Sequence, residues 1–536
     1  DHGRTVTFLI ADGVVPSNEG RGYVLRRVLR RAVRHAWKFG GDGLIFPGLV
    51  ETTVESMGSA YPQLVDKSDF IVDMVTREED RFRRTLESGH QLLDTELEGD
   101  EERLSGATVF KLHDTYGFPV DLTREIAEER GISVDLEGFE DAMEEQRKRA
   151  RSAWKGGDEA AAAELYREIL DSTGPTDFVG YTDEQAQGAI LSMVIDGDFV
   201  ERAEKGQIVE VFLDSTPFYG ESGGQVGDTG SIETDTGTAR VSDTQHALQG
   251  LHGHRAEVVS GYLATGQPAR AAIDSPRREA IRKSHTGTHV LHWAIRDVVG
   301  EHAGQAGSLV EPGRLRFDFS HHAQVPSEEL AEIESEVNER LIANHDVNTQ
   351  VTSKDEAQEM GAIAFFGDKY GETVRVVSIG DFSVEFCGGT HTHTAGQVGP
   401  LILMSESSIG ANVRRVEALT GMAAFDALTE MRNTLDGVAQ RLKVSRGDVP
   451  SRVEAILEKS ELLQEQLDSV RSSERSQIAS DLAAQADKVG EYSLVVSNAD
   501  MGGNELRQLA LSIRDSLGNG SVVIGGGAAG GEGAVG

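Results

Sequence analysis

The spacing of apolar residues divides the chain into segments of different character, and the first is helical. Apolar residues recur with a helical period from residue 22 to residue 39. Residues 69–97 and 122–148 show the same period. Residues 1–155 are therefore predicted to form a helical domain.

The second segment has the pattern of short strands. Apolar runs at Ile208–Leu213 and at residues 254–259 are separated by clusters of Gly, Asp and Thr. Short strands between such turn residues are typical of a small barrel or sandwich. We expect this subdomain over residues 156–270.

The third segment mixes helix and strand patterns over residues 271–425. A helix is expected from residue 284 to residue 299, with Ser284 as its N-cap. Strands are expected at residues 373–377, Ser383–Phe386 and residues 401–405. This segment is predicted to be an α+β domain.

The last part of the chain begins with a long polar helix, which Pro450 and Ser451 open within residues 426–490. Its apolar residues form an incomplete heptad seam: Val453, Leu457, Leu463, Leu467, Val470, Ile478 and Leu482. Because the seam is interrupted, half of a helical hairpin is favoured over a dimeric coiled coil. Residues 491–536 then show a strand, a helix and a strand, which suggests a truncated α/β domain.

Composition narrows the picture of this multidomain α+β chain. Lys and Arg number 52 and Asp and Glu number 89 among 536 residues, a net charge of −37, and Cys387 is the only cysteine. A single cysteine excludes intrachain disulfides and sites needing two thiolates, and it fits a cytoplasmic setting. No apolar run approaches the ~18 residues of a membrane span. The acidity disfavours a nucleic-acid partner overall but leaves local basic patches open.

Basic residues are concentrated in three places. From Arg4 to Lys38 there are eight Lys and Arg residues against two acids. Two further clusters follow later in the chain. The candidate phosphate contacts are Arg21, Arg26, Arg27, Arg30, Arg277, Arg278, Arg282, Lys283, Arg414 and Arg415. Solvated surface clusters are the competing interpretation, but positioning of a polyanion fits so acidic a chain better.

Two short motifs carry candidate chemistry. In the first, His285 and His289 stand four residues apart, which places both imidazoles on one face of a helix. In the second, Cys387 and His391 flank two glycines and a threonine, a sequence suited to a tight loop. Three His and one Cys form a zinc-type ligand set. Taken separately, the His pair could belong to an ordinary helix, and the Cys could be a buried thiol. The first motif is not that of a metallopeptidase, because no carboxylate lies between its two histidines.

Five stretches together resemble the alanine–tRNA ligase family of bacterial type. They are SHTGTHVLH at residues 284–292, CGGTH at 387–391, TVTFLIADGVVPSNEGRGYVLRRVLRR at 5–31, FKLHDTYGFPVDLT at 110–123 and TPFYGESGGQVGDTG at 216–230. The resemblance covers essentially the whole chain in order. It implies a tRNA-recognition domain, a barrel and a zinc-containing editing domain.

The resemblance also implies roles for single residues. His285, His289, Cys387 and His391 match the zinc site, and Gln305 matches a glutamine of the editing pocket. Asn18 and Asp114 match residues that read a G·U pair in the acceptor stem of tRNA-Ala. A helix N-cap and a turn residue are the ordinary alternatives for this Asn and this Asp.

The same resemblance implies that a domain is missing. The aminoacylation domain, which would use ATP and Mg²⁺, has no counterpart here, and both ends of the chain look cut. We therefore expect an internal fragment that keeps tRNA recognition and the hydrolysis of Ser- or Gly-tRNA-Ala. Thr286, Thr288 or Gln305 would pair the serine hydroxyl.

Two other functions remain open at this stage. The chain could be a freestanding deacylase, although the helical segment argues against this, or a tRNA-binding module with a purely structural zinc. Four protein ligands make a closed tetrahedral site, which is usually structural. Catalysis then needs a fifth position, a ligand that dissociates or only three true ligands, and His391 is the candidate for the ligand that differs. A homodimer through the C-terminal region is also possible.

Overall fold

A computed structural model describes residues 1–17, 20–41, 43–97, 103–116, 118–153, 159–364, 371–410, 412–526 and 534–535. The chain divides into two compact units, Asp1–Ala427 and Leu428–Gly536. Among these residues, the helices are all too short or too polar to cross a membrane. The finer domain boundaries predicted above stay predictions.

The first unit begins with a helical region built around one apolar core. Leu25, Leu29 and Val33 form the buried face of its second helix, and Phe46 and Phe82 pack in the same core. The helices are α1 (His2–Ala11), α2 (Gly20–Lys38), α3 (Phe46–Met57), α4 (Pro62–Asp66), α5 (Ser68–Leu97), α6 (Gly106–Tyr116), α7 (Val120–Glu129) and α8 (Leu136–Ala153), with the short parallel strands β1 (Arg103–Leu104) and β2 (Ser133–Val134).

One predicted helix is two helices in the structure. The expected helix at residues 122–148 is interrupted between α7 and α8, where Gly131 has a φ of +78°. Only glycine adopts such a φ without strain. The chain then adds Ser133 and Val134 as β2 beside β1. The stretch is helical as expected, but it consists of two helices separated by this turn and strand.

The second region is a closed barrel. The strands of this region, after α9 (Glu159–Thr173), are β3 (Asp177–Phe178), β4 (Gln185–Ile195), β5 (Asp198–Phe199), β6 (Arg202–Glu204), β7 (Ile208–Leu213), β8 (Ser215–Thr216), β9 (Gly230–Thr234), β10 (Gly237–Leu248), β11 (Leu251–Ala264) and β12 (Pro268–Ile273). Strands β3 and β8 pair only with each other, as a separate parallel pair. The order β10-β9-β12-β4-β7-β11 closes through pairing of β10 with β11. Of the two architectures expected, the barrel is the one found. Sequence reasoning missed α9, which packs on the barrel through Ile169.

The third region of the first unit is an α+β core. Its elements are α10 (Ser275–Val298), β13 (Gln305–Glu311), β14 (Arg314–Ser320), α11 (Ser327–Ala343), β15 (Val347–Ser353), α12 (Lys354–Glu359), β16 (Thr373–Ile379), β17 (Ser383–Phe386), a 3₁₀ turn (Ala395–Val398), β18 (Leu401–Gly410) and β19 (Val413–Thr420). Two antiparallel sheets, β13-β14-β19-β18 and β15-β16-β17, enclose α10.

The start of α10 differs from the prediction. Asp274 is the N-cap, because its side chain accepts a hydrogen bond from the backbone N–H of Arg277, and Pro276 occupies the first turn. Ser284 lies inside the helix, where its hydroxyl is 2.9 Å from that of Thr420. The expectation that Ser284 caps the helix is wrong. The apolar pattern indicated only the part of α10 from residue 284 onward and missed the residues before it.

The second unit contains the end of α13 (Gly421–Leu442), a 3₁₀ turn (Arg446–Asp448), α14 (Val449–Ala484), β20 (Asp487–Val489), β21 (Tyr492–Asn498), α15 (Gly503–Leu517), β22 (Gly520–Gly526) and β23 (Ala534–Val535). The parallel pair β21 and β22 is connected by α15, whose Leu506, Leu509 and Ile513 are buried. Ile478 and Leu482 at the end of α14 pack on this core.

Candidate metal centre

Four side chains from two distant segments meet at one point of the α+β core. His285 and His289 project from α10 with their rings stacked, 5.4 Å between centroids. Cys387 and His391 come from the loop after β17. Sγ of Cys387 lies 3.4 Å from Nε2 of His285 and 3.3 Å from Nε2 of His391, and all four candidate ligand atoms lie within 4.8 Å of one another.

The loop between Cys387 and His391 passes so close to α10 that one position has no room for a side chain. A Cβ on Gly389 would overlap the ring of His285. Gly388, one residue earlier, has open space around the same position. The second glycine of the motif therefore permits the approach of the two halves, as the loop prediction required.

Each imidazole is held through Nδ1, which leaves Nε2 facing the centre. His285 donates to Oε1 of Gln225 at 2.7 Å, and His289 donates to Oε2 of Glu385 at 2.6 Å. Nδ1 of His391 lies 3.3 Å from the hydroxyl of Thr286. Such partners fix the tautomer of metal-binding histidines.

The donor set fits a zinc ion. Nε2 of His289 is buried and, among the described residues, has no hydrogen-bond partner. A buried nitrogen without a partner is costly unless a ligand satisfies it. One thiolate and three imidazoles are ligands that zinc accepts in tetrahedral geometry. His285, His289, Cys387 and His391 are thus the residues that would hold the metal.

Charges at the centre favour the ionised thiol. Burial opposes ionisation, but the imidazoles of His285, His391 and His289 hold the pKa of the Cys387 thiol well below its usual range. Burial also opposes protonation of His289, yet Glu385 and Cys387 raise its pKa to about 10. Burial lowers the pKa of His391 to about 3. Without a metal ion, a proton on His289 neutralises the thiolate, and a bound cation would take the place of that proton.

The centre forms one wall of a cavity of about 630 Å³. Strand β13, the barrel loop at residues 222–224 and strand β16 form the other walls. The polar or charged residues in its lining are Tyr219, Ser222, His285, Thr288, His289, Gln305, Ser308, Thr373, Arg375 and Cys387. The cavity therefore gives a ligand access to the metal-binding side chains from one side.

The three predicted pocket residues have different positions. Gln305 and Thr288 line the cavity. Nε2 of Gln305 donates to the Ser308 hydroxyl at 3.1 Å, and the Thr288 hydroxyl donates to the Ser284 carbonyl at 2.8 Å, which leaves both side-chain oxygens able to accept. Thr286 is fully buried on the other side of the ligands, where its hydroxyl accepts from the backbone N–H of Thr392. A contact of Thr286 with a ligand in the cavity does not agree with this position.

Four residues at the site were not found from the sequence. Gln225 and Glu385 orient the histidines, as described above. Arg375 donates to the carbonyls of Cys387 and Gly389, both at 2.9 Å, and its guanidinium stacks 4.3 Å from the ring of Tyr181. Tyr181 donates to the Gly388 carbonyl at 2.6 Å. The signal for Gln225 was present, because it lies in the quoted stretch at residues 216–230.

The basic face of α2 is largely neutralised inside the helical region. Arg26 and Arg30 are buried, and both pair with Glu78, at 2.9 and 2.8 Å. Arg27 is half-exposed and lies 3.3 Å from Asp121 of α7. Arg21 is exposed. Asn18 lies outside the described residues, and so does the side chain of Asp114, whose backbone belongs to α6.

The two later basic clusters are also engaged by the protein itself. Arg278 is fully buried, donating to Asp228 and to the carbonyls of Gly180 and Pro217. Its expected phosphate contact is incompatible with this burial. The other pairs are Arg282 with Glu279, Arg414 with Glu406, Arg415 with Asp318, and Arg277 with the Gly227 carbonyl. Lys283 is half-buried.

Comparison with known proteins places the chain in a class. Residues 1–277 match the family model described as tRNA synthetases class II (A), which is more than half of the chain. Residues 374–417, which include Cys387 and His391, match the model described as threonyl and alanyl tRNA synthetase second additional domain. These matches define a class II tRNA synthetase.

Individual relatives make the assignment more specific. An alanine–tRNA ligase of Mesorhizobium japonicum is 44% identical over 98% of this chain, and one of Acetivibrio thermocellus is 42% identical over 98%. One of Paracoccus denitrificans is 47% identical over 84%. The chain belongs to the alanine–tRNA ligase family. It spans 61%, 60% and 53% of the length of these three relatives.

Proposed function

We propose that this chain hydrolyses tRNA-Ala mischarged with serine or glycine, and that its helical region binds the acceptor stem. The observation that carries the proposal is the convergence of His285, His289, Cys387 and His391 beside a cavity of about 630 Å³, which the first three of them line. In the intact protein, this activity would accompany ATP- and Mg²⁺-dependent attachment of alanine to tRNA-Ala in the cytoplasm.

The reaction adds water across the ester that joins the amino acid to the ribose. The carbonyl carbon gains a hydroxyl, its bond to the ribose oxygen breaks, and that oxygen leaves with a proton as the free tRNA end. Bound zinc supplies Lewis-acid chemistry, either by activating water or by orienting the amino group. Arg375, on the cavity wall, is suited to hold the phosphate next to the terminal ribose.

Selection of serine depends on hydrogen bonding inside the cavity. The oxygens of Thr288 and Gln305 are free to accept from the serine hydroxyl, as described above. An alanine side chain in the same position leaves those oxygens unpaired, and a site built around a hydroxyl rejects analogues that lack it. This contact would therefore favour the seryl ester over the cognate alanyl ester, whereas hydrolysis of the glycyl ester, which also lacks a hydroxyl, does not depend on it. Thr288→Val and Gln305→Ala are expected to lower the rate on seryl-tRNA more than the rate on glycyl-tRNA.

Deacylation of seryl-tRNA-Ala by the purified chain tests the proposal. We expect hydrolysis by the wild type, loss of at least about 100-fold in kcat/KM for Cys387→Ala and His289→Ala, and no change for His35→Ala, which removes an exposed imidazole. Metal content measured on the same samples should fall in the first two variants only.

The competing function predicts a different result in the same assay. A site with four protein ligands is usually structural, so a tRNA-binding module would contain zinc and leave the ester intact. Zinc-loaded wild type without hydrolysis would establish that alternative. If one ligand dissociates during catalysis, His391→Ala would keep a fraction of the hydrolysis that Cys387→Ala abolishes.

Recognition of the acceptor stem is a separate part of the proposal. Asn18 and Asp114 are proposed to contact the G·U pair, since an amide and a carboxylate can accept from a guanine amino group in the groove. Asn18→Ala and Asp114→Ala should raise KM for tRNA-Ala about 10-fold and have little effect on a tRNA in which the G·U pair is replaced by G·C. A freestanding deacylase would hydrolyse both tRNAs equally well.

A further inference from the structure

Three histidines form a second cluster in the first unit, apart from the centre described above. His302 follows α10, and His321 and His322 follow β14. Each offers one ring nitrogen, and these nitrogens lie within 4.8 Å of one another. Three neutral imidazoles are a common ligand set for a divalent transition metal.

The hydrogen bonds around the cluster are incomplete. Nε2 of His302 lies 3.0 Å from Nδ1 of His321, and Nε2 of His322 donates to Asp73 of α5 at 2.8 Å. Since His322 uses Nε2 for the carboxylate, its Nδ1 presents a lone pair. That Nδ1 is buried and lacks a hydrogen-bond partner in the described part of the chain.

Electrostatics keep the three rings available as ligands at neutral pH. Burial lowers the pKa of His302 to about 4 and that of His321 to about 3, and it also lowers the pKa of His322. The positive charges of Arg414 and Arg77 also lower the pKa of His321. Each of them is paired with a carboxylate, Glu406 and Asp73 respectively. The three rings are therefore neutral at pH 7, and the charges of these two arginines are balanced by carboxylates.

The geometry is close to that of a metal site. Two ligands of a tetrahedral ion at ~2.0–2.1 Å are about 3.3 Å apart, near the separation of His302 and His321. Asp73 stands where a carboxylate commonly orients a metal-binding histidine. We propose that His302, His321 and His322 bind a second divalent transition metal ion of the zinc class, with Asp73 as the positioning residue for His322.

A metal in this position connects two regions of the first unit. The three histidines belong to the α+β core, whereas Asp73 belongs to helix α5. The ring of Phe70 on the same helix lies 4.4 Å from that of His302, and the side chain of Asn412 donates to the Pro16 carbonyl at 2.7 Å. The ion would lock this junction.

Cobalt titration of the full 536-residue chain tests the proposal. The protein is stripped with a chelator, and Co²⁺ binding is followed by absorption and by metal analysis. We expect two equivalents in the wild type. Only the site with Cys387 should show a thiolate-to-cobalt charge-transfer band; the other equivalent should add weak ligand-field bands alone.

Variants assign the second equivalent. His302→Ala and His322→Asn should bind one equivalent and keep the charge-transfer band, whereas His35→Ala should still bind two. Asp73→Asn should weaken the second equivalent about 10- to 100-fold. Circular dichroism checks that each variant is folded. A single equivalent in the wild type, or two equivalents in folded His302→Ala and His322→Asn, would overturn the proposal. The readout is independent of ester hydrolysis.

Discussion

Gly389 illustrates how one residue decides whether the metal centre can form. The ring of His285 occupies the space that a Cβ at this position would take, and Gly388 beside it is unconstrained. The two glycines look equivalent in the sequence motif. Their surroundings in the fold make them unequal.

The first prediction compares these two glycines. Gly389→Ala should push the loop away from α10 and lower zinc affinity at least about 10-fold, because Cys387 and His391 no longer reach the position set by His285. Gly388→Ala, the matched control, should bind zinc like the wild type. Competition with a chromogenic chelator measures both. Equal affinities would contradict the steric argument.

At the scale of single residues, the sequence identified the candidate metal ligands but not the residues that orient them through hydrogen bonds. His285 with His289 and Cys387 with His391 are each four positions apart, so local geometry indicates a shared direction. Gln225 and Glu385 are 60 and 96 positions from the histidines that they hold. No local pattern connects such residues. The convergence of all four ligands likewise depends on how β17 packs beside α10.

At the scale of elements, helix α2 shows how charge is used internally. Its cationic side chains face acids of α5 and α7, and Glu78 serves both Arg26 and Arg30 at 2% side-chain exposure. A buried carboxylate shared by two guanidiniums holds the helices in register. In the sequence, the basic residues of α2 form one continuous stripe. Their acidic partners could not be recognised there, because they lie on other helices.

The second prediction removes that shared carboxylate. Glu78→Gln leaves two buried guanidiniums without a counterion, and breaking such pairs costs about 3–5 kcal/mol. Amide hydrogen exchange in α2 and α5 should accelerate accordingly. Asp80→Asn on the same helix breaks an exposed ion pair with Arg84. It should change the free energy of unfolding obtained from exchange rates by less than about 1 kcal/mol. Similar effects of the two variants would argue against a structural role for Glu78.

The third prediction concerns the barrel and acid. His254 on β11 is fully buried; its Nδ1 donates to the Val211 carbonyl, and its Nε2 accepts from the Thr216 hydroxyl. Burial lowers its pKa to about 4. The folded state therefore binds a proton at His254 less readily than the unfolded state does. The free energy of unfolding should be unaffected by this group above about pH 6.5 and should decrease by about 3 kcal/mol as the pH falls to 4.

Hydrogen exchange of β7 and β11 across this pH range measures the loss. Rates need correction for the intrinsic pH dependence of exchange. His254→Asn has no group to titrate there, so it should be less stable at pH 7 and show a flatter profile. A wild-type barrel as stable at pH 4 as at pH 7 would contradict the prediction.

Element types were predicted better than element ends. The strands Ile208–Leu213 and Ser383–Phe386 match the structure residue for residue, because their apolar runs are bounded by turns. The start of α10 and the break between α7 and α8 were missed. Polar residues of the first turns and a single glycine decide those positions, and the apolar period is insensitive to both.

At the scale of the whole molecule, the net charge of −37 describes the exterior rather than the sites. Several arginines that suggested a tRNA surface are buried or paired within the chain. In the second unit, an apolar row on α14 stays at least 40% exposed: Val453, Leu457, Leu463, Leu467 and Val470. This row is the part of the heptad seam that the unit's own core leaves uncovered.

The fourth prediction is that a second copy of the chain covers this row. Repulsion between two acidic chains opposes the contact, so the dimer fraction should rise with salt. Sedimentation at several protein concentrations measures it. Leu463→Glu with Leu467→Glu should give monomers. Ser469→Glu with Ser476→Glu adds the same charge to another side of α14 and should leave association unchanged. A monomer at all concentrations and salts would exclude this dimer.

The distance along the chain between the two halves of the metal centre has a further consequence. His285 and Cys387 are 102 positions apart, so an ion bound to both acts as a reversible cross-link around a long loop. Closing such a loop removes conformational freedom from the unfolded chain. A cut in the backbone between the halves would leave two fragments fastened by the metal. They would separate only when a chelator and a denaturant act together.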